Sequence, residues 1–377
     1  MYARANMGAP AQGAGIAHNK DMAVETSQVE SRQTAPIALR QNLERKTIPS
    51  LDGLRGISAL SVALAHAWGL GRWIPADYAV VLFFEISGLL ITWLLLSEQD
   101  RTGSIDRLNF MKRRTLRLFP AFYTLWLLTW LVPDTPGRWW AFFYMMDFHQ
   151  ALYDISGRDG VLGMAWSLGI EEKYYLIWPT VLKRFKRETL LKALLTLFFV
   201  VQVYHSIIYL RGHVMWAAWG FDTRVDSIIL GSALAIAIKS GWLPPPALLR
   251  PWCLWASVAL VMLLSGTVWV HRLSFGVLIA AYPLAIILMS VIARPPRVLN
   301  NRVASFFGRI SYSLYLYNVL VTYFVSKIPL LNGFARVATS MIASILAATL
   351  SYYFIEKPFL RMKDRFHGAA RPAPATT

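Results

Sequence analysis

Cysteine is nearly absent: Cys253 is the only one in 377 residues. A disulfide scaffold needs pairs and is excluded. Thiolate zinc sites and iron–sulfur clusters need several cysteines and are excluded with it. No Gly-rich phosphate loop, serine nucleophile elbow or His-x-x-x-His pattern occurs, so neither a phosphate-loop enzyme, a serine hydrolase of that type nor a metal site is expected. The two halves show no inverted-transporter repeat. No apolar stretch lies between Met1 and Ser50, which argues against a secretory signal peptide. Acidic residues are scarce, 21 Asp and Glu against 38 Lys and Arg, and the formal net charge is +17.

What is abundant is apolar surface. The chain is 56% hydrophobic and 14% aromatic, with a mean hydropathy of +0.43. Disorder is excluded except at the ends, because too much apolar surface would stay in water. A charge of +17 on a polar surface would indicate a nucleic-acid binder. On this chain no nucleic-acid partner is expected, and the composition suits a lipid bilayer.

Residues 1–50 read as a flexible cytosolic tail, 51–360 as one transmembrane domain, and 361–377 as a C-terminal cytosolic tail. Ten apolar runs fill the domain, roughly 57–71, 77–97, 117–133, 166–183, 190–210, 222–238, 252–270, 273–292, 310–327 and 335–355. Most approach the ~20 residues that cross ~30 Å of hydrocarbon. In lipid the backbone must satisfy its own hydrogen bonds, so the expected fold is an all-α bundle of ten spans. The run from Trp139 to Phe148 is too short and suits the interface. With both termini cytosolic, 29 of the 38 basic residues fall inside and seven outside. That bias favours ten spans over eleven.

Ionisable residues within spans are costly, so each is a candidate for function. Arg55 and His66 lie on the first span, ~16 Å apart along a helix. Spacing leaves two roles open for His66: a hydrogen bond to a neighbouring helix, or a general base. Asp52 precedes them in Leu51-Asp52-Gly53-Leu54-Arg55-Gly56. On the second span, Ser87-Gly88 allows close helix approach, while Glu85 needs a partner or a watery cavity. Glu171 and Glu172 open the fourth span, about 100° apart around a helix, so one of them is expected to face the interior. Lys112-Arg113-Arg114-Thr115-Leu116-Arg117 is either a positive-inside anchor or an anion site in which Arg114 and Arg117 fork a phosphate. Glu356 closes the last span against the helix dipole and is expected to pair with Arg113, Arg114, Arg117 or Arg361. Arg224, between Asp222 and Asp226, is expected to reach Glu171 or Glu172. His149 beside Asp147 is a second acid–base candidate, in an exposed connection.

Seven stretches together resemble the bacterial acyltransferase-3 membrane proteins. They are Leu51–Gly56 with His66; Phe83-Phe84 with Ser87-Gly88; Arg113-Arg114 with Arg117 and Pro120; Trp166-Ser167-Leu168 with Glu171 and Tyr175; Arg224 with Asp226 and Gly231; Ser311-Tyr312-Ser313-Leu314-Tyr315-Leu316; and Glu356 with Pro358. Their order over residues 50–360 carries the resemblance. It implies a ten-helix domain in the bacterial inner membrane that moves an acyl group, usually acetyl, from cytosolic acyl-CoA to a hydroxyl. The acceptor it implies is a surface or exported polysaccharide or oligosaccharide, lipid-linked or free. By position, His66 becomes the catalytic histidine, Glu171 the acidic residue of the Trp-Ser-Leu motif, and Arg114 and Arg117 the essential arginines.

Three departures stand out. Asn318 occupies a position where the family often has His, and it can serve only as a hydrogen-bonding group. Val81 stands where the family commonly has a polar residue, and Glu85, one turn on, is the expected substitute. The chain also ends soon after the membrane domain, so no hydrolase-like domain is expected. The expected mechanism places the donor phosphates on Arg114 and Arg117, with His66 as base, oriented or charge-balanced by Glu171. The rival reading is a transporter or flippase of acyl groups or glycans.

Overall fold

A computed structural model describes residues 35–45, 47–69, 74–153, 160–266 and 275–363. The expected tails over 1–34 and 364–377 lie outside the described residues, as do the ends of several apolar runs at 70–71, 267–270 and 273–274. The described chain is all-helical.

Helix α1 covers 35–43. It is followed by α2 (Pro49–Ala67), α3 (Ala76–Thr102) and α4 (Arg107–Leu128). Two short helices, α5 (Arg138–Phe142) and α6 (Met146–Tyr153), precede α7 (Ala165–Arg184) and α8 (Arg187–Leu210). Two more short ones, α9 (Val214–Trp219) and α10 (Phe221–Arg224), lead into α11 (Asp226–Lys239). The remainder is α12 (Pro251–Ser265), α13 (Val277–Ala293), α14 (Arg302–Ser326), α15 (Gly333–Ser351) and α16 (Lys357–Lys363).

Each of the ten apolar runs overlaps helical chain, and 222–238 is divided between α10 and α11. Three segments are long and apolar enough to cross a membrane by length and composition: Ala76–Thr102, Arg187–Leu210 and the continuous Gly333–Met362. Others fall short. The 14 residues of α11 rise only ~21 Å. The aromatic stretch 139–148 forms α5 and part of α6, too short to span.

Within the expected N-terminal tail, residues 35–43 are folded, which corrects that reading. Ala35, Leu39 and Leu43 are all buried, a stripe at helical spacing. Asn42 Nδ2 donates to the Ile292 carbonyl at 2.7 Å.

Side-chain contacts fix helix direction. From one end of α2 to the other, Gly53 meets Leu299, Gly56 meets Gly308, and His66 meets Asn318, so α2 and α14 are parallel. Tyr312 reaches the Leu118 carbonyl and Tyr317 that of Ala121, so α4 runs with α14. Along α3, Phe84 meets Trp166, Ser87 meets Glu171 and Thr92 meets Trp178, so α7 is parallel to α3. Lys239 at the end of α11 reaches Asp100 at the end of α3, and Gly88 packs on Ile228. Thus α11 also runs with α3. Arg107 meets Thr180 while Arg114 meets Glu171, so α4 and α7 are antiparallel. The packing thus divides these six helices by direction, with α2, α4 and α14 running one way and α3, α7 and α11 the other. It defines an Arg55 end, where α2 begins, and a His66 end, where α2 stops.

Two glycine contacts let the inner helices approach this closely. A Cβ on Gly308 would overlap the Asp52 carbonyl, and one on Gly231 would overlap the Glu85 carbonyl. Small residues are the usual device for helix association where water gives no driving force.

Candidate active site

Helices α2, α3, α4, α7 and α14 surround a cavity of about 850 Å³, counting its open mouth. Three guanidinium groups line it: Arg55 from α2, and Arg114 and Arg117 from one turn of α4. Helical spacing of three puts the last two on one face, as the sequence suggested. Arg55 and Arg114 each have a buried Nε with no partner among the described residues. A guanidinium presents several donors in a fixed fork and is suited to phosphate oxygens. The rest of the wall is apolar or aromatic, with Phe83, Leu90, Leu118 and Leu168 among its residues.

Glu171 faces this same cavity. Ser87 Oγ donates to its Oε1 at 2.6 Å. Arg114 Nη2 lies 3.8 Å from its Oε2, and the Arg114 guanidinium sits 3.9 Å over the Tyr175 ring. Glu172 also lies within electrostatic range of Arg114. Of the two glutamates, only Glu171 lines the cavity, and only Glu171 forms an ion pair with Arg114. Glu171 was also expected to orient His66. Among the described residues it contacts Arg114 and Ser87 and makes no hydrogen bond to His66.

A hydroxyl pair lines the cavity as well. Ser167 Oγ and Tyr315 Oη are 2.6 Å apart, and Tyr315 Oη also donates to the Met164 carbonyl at 3.2 Å. Phe83 packs edge-on against the Tyr315 ring. One turn further along α14 stands Asn318, whose Oδ1 is 2.6 Å from His66 Nδ1. His66 is half-buried and is not part of the cavity wall. Its hydrogen bond to a neighbouring helix was one of the two roles left open by its spacing. The bond occupies one ring nitrogen and leaves the other available for proton transfer.

At the Arg55 end, Glu356 is buried at a π-helical turn, Tyr352–Glu356. Ser313 Oγ donates to it at 2.5 Å. Arg117 and Arg55 are its electrostatic partners, so Arg117 from the expected set is the relevant one. Asp52 lies in range of Arg55, Arg117 and Arg309. Arg113 does not join the cavity: its Nη2 pairs with Glu98 at 3.1 Å. It is about 100° around α4 from Arg114, and its side chain is engaged by Glu98 instead.

Three further expectations are corrected. Glu85 faces α11 rather than the cavity, is fully buried, and has Asp226 as its electrostatic neighbour. Arg224 is also buried; it lies 5.4 Å from the Trp166 ring and near Asp226 and Asp77, away from Glu171 and Glu172. Residues 85 and 87 are about 200° apart around a helix, so Ser87 faces the cavity and Glu85 cannot. His149 is buried against Trp140 and Tyr153 instead of exposed, and burial pushes its imidazole pKa down. Asp147 pairs with Lys173 at 2.7 Å. No His–Asp acid–base pair forms there.

Ser167, Tyr312 and Tyr315 line the cavity although the residue reading gave them no role. Their only sequence signal was membership in the Trp-Ser-Leu and Ser-Tyr-Ser-Leu-Tyr stretches.

No solved structure matches the chain. Among curated proteins, it is similar to the peptidoglycan O-acetyltransferase OatA of Listeria monocytogenes, 28% identical over 360 residues, covering 83% of this chain and 56% of OatA. It is similar to YrhL of Bacillus subtilis, provisionally named a peptidoglycan O-acetyltransferase, at 29% over 355 residues, 82% of this chain and 54% of YrhL. The chain thus spans a little over half the length of these curated relatives. The Acyl_transf_3 family, described as an acyltransferase domain, matches residues 48–356. That span contains every helix of the cavity and both His66 and Asn318, and the chain belongs to the acyltransferase-3 family.

Proposed function

We propose that the protein is an integral membrane O-acyltransferase that moves an acyl group, acetyl by preference, from cytosolic acyl-CoA to a glycan hydroxyl. The observation that carries this reading is the shared cavity of Arg55, Arg114 and Arg117. Three cations, two of them with an unpartnered Nε, in a largely apolar pocket suit a ligand with phosphates at one end and an uncharged arm. The names of the relatives favour peptidoglycan as acceptor.

In the proposed topology the ten long helices all cross the bacterial cytoplasmic membrane, with the Arg55 end and both termini cytosolic. Alternating helix directions and the positive-inside bias support it. The donor phosphates then sit on Arg55, Arg114 and Arg117, and the thioester reaches toward the His66 end. The acceptor oxygen attacks the thioester carbonyl, the C–O bond forms and the C–S bond breaks. His66 takes the hydroxyl proton at Nε2, and the departing thiolate finally receives it. Glu171 acts on the donor side, holding Arg114 and Ser87 in place.

The test is purified protein in proteoliposomes, loaded with acyl-labelled CoA on one side and soluble glycan fragments on the other. Label should appear covalently on the glycan with one CoA released per acyl group. His66→Ala should abolish it, by a factor on the order of 10²–10⁴. Movement of acyl groups or glycan without ester formation would overturn the enzyme reading in favour of a transporter. Undiminished turnover in folded His66→Ala protein would remove the base.

A further inference from the structure

We propose that Asn318 is a positioning residue that holds His66 in the tautomer with its proton on Nδ1 and its lone pair on Nε2. The catalytic consequence rests on the general-base reading of His66; the effect on the ring does not.

The orientation of the Asn318 amide is fixed by its own helix. Its Nδ2 lies 3.0 Å from the Leu314 carbonyl and 2.7 Å from the Tyr315 carbonyl. Carbonyl oxygens only accept, so the NH₂ group must be on that side. Oδ1 is then the atom facing His66 Nδ1 at 2.6 Å. An amide oxygen also only accepts, so Nδ1 must carry the hydrogen. A neutral imidazole has a single N–H, and Nε2 is left with the lone pair. Among the described residues Nε2 has no partner.

The ring of a free neutral histidine favours the opposite tautomer, with its proton on Nε2. In that form the accessible nitrogen would be a donor and could not accept the acceptor's proton. Asn318 reverses the preference, and it is placed to do so rigidly. Its side chain is fully buried, both amide hydrogens are used, and α2 and α14 are locked in register by the Gly56 and Gly308 contacts. The hydrogen bond that defines which ring nitrogen is basic is a recurrent determinant of histidine function. Here a neutral amide serves, so the hydrogen bond that orients the ring adds no charge of its own; the carboxylate within electrostatic range of His66 is Asp77.

The experiment uses full-length protein in lipid nanodiscs with ¹⁵N-labelled histidine, the His66 signals assigned by their loss in His66→Gln. Long-range ¹⁵N–¹H correlations distinguish the two tautomers directly. Wild type should show the Nδ1–H form. Asn318→Asp keeps an acceptor at the same place and should retain it. Asn318→Leu fills a similar volume without an acceptor and should shift the ring toward Nε2–H. In turnover, Asn318→Leu should lower kcat at least about tenfold with the KM for acyl-CoA within about twofold, because the arginine cavity is untouched. An Nε2–H wild-type ring, or a tautomer unchanged in Asn318→Leu, would overturn the proposal. So would a shifted tautomer with unchanged kcat. If His66→Gln keeps its activity, the base reading fails instead, and the tautomer measurement still decides what Asn318 does to the ring.

Discussion

Arg114 Nη2 stands 3.8 Å from Glu171 Oε2 inside the cavity, and this pair places the glutamate beside the cavity arginines instead of beside His66. A carboxylate beside the arginine tunes how that arginine meets an anion. It also stops a lone cation from being buried in an apolar wall.

Arg114→Gln should therefore weaken donor binding. A hydrogen bond to a charged group contributes about 1.5–3 kcal/mol, so the KM for acyl-CoA should rise about 10–100-fold, with a smaller change in kcat. Adding Glu171→Gln should recover protein stability, by removing the uncompensated carboxylate, without recovering KM. Steady-state kinetics over acyl-CoA concentration check both, and an unchanged KM in Arg114→Gln would count against an anion site here.

The Lys173–Asp147 pair holds the short helices onto α7. Lys173 Nζ donates to Asp147 and to the Tyr144 carbonyl at 2.8 Å, and the Asp147 side chain is fully enclosed. Burial raises the Asp147 pKa and the lysine opposes that rise. Lys173→Met should cost about 3–5 kcal/mol, the penalty of a stranded buried charge. The double variant with Asp147→Leu should regain much of it. Thermal unfolding in detergent measures this, and an undisturbed Lys173→Met midpoint would show that the pair does not anchor the segment.

Gly231→Leu drives a side chain into the Glu85 backbone of α3. Separating α3 from α11 should destabilise the fold by at least about 1–3 kcal/mol. It should also reduce activity through the α3 wall of the cavity. Gly212→Ala is the control: that glycine has nothing within 4 Å and lies at a turn with φ +88°. It should leave the cavity unaffected and cost only the local strain of a left-handed residue.

Membrane orientation can be measured because Cys253 is the sole thiol. In a Cys253→Ser background, Ser104→Cys between α3 and α4 should react with an impermeant maleimide only from the cytosolic side. Gly212→Cys, after α8, should react only from the opposite side. Labelling of both from one side would refute the alternating ten-span topology.

The helical class, the ten runs and the Arg114–Arg117 face were legible in the sequence because they depend on local quantities: hydropathy, run length and the helical period. Spacing also gave the correct separation of Arg55 from His66, since both lie on one helix. It could not assign facing on the second and fourth spans, where apolar residues surround every candidate and no amphipathic stripe marks the inside. Glu85 was thus placed at the site when it faces α11, and Glu171 was matched to His66 when it belongs to Arg114. The 35–43 helix was missed because three buried apolar residues do not stand out in a polar stretch.

By itself the sequence determined that this is an apolar, helical chain with Arg55 and His66 at separate points along one helix. Which charges meet was decided only by the tertiary structure. Helix pairs approach at Gly56–Gly308 and Gly88–Gly231, and those contacts set the rotation and register of α2, α3, α11 and α14. Rotation selects Ser87 over Glu85, and register brings Asn318 rather than a carboxylate to His66. Both follow from packing between residues more than 80 positions apart, which a local pattern does not encode.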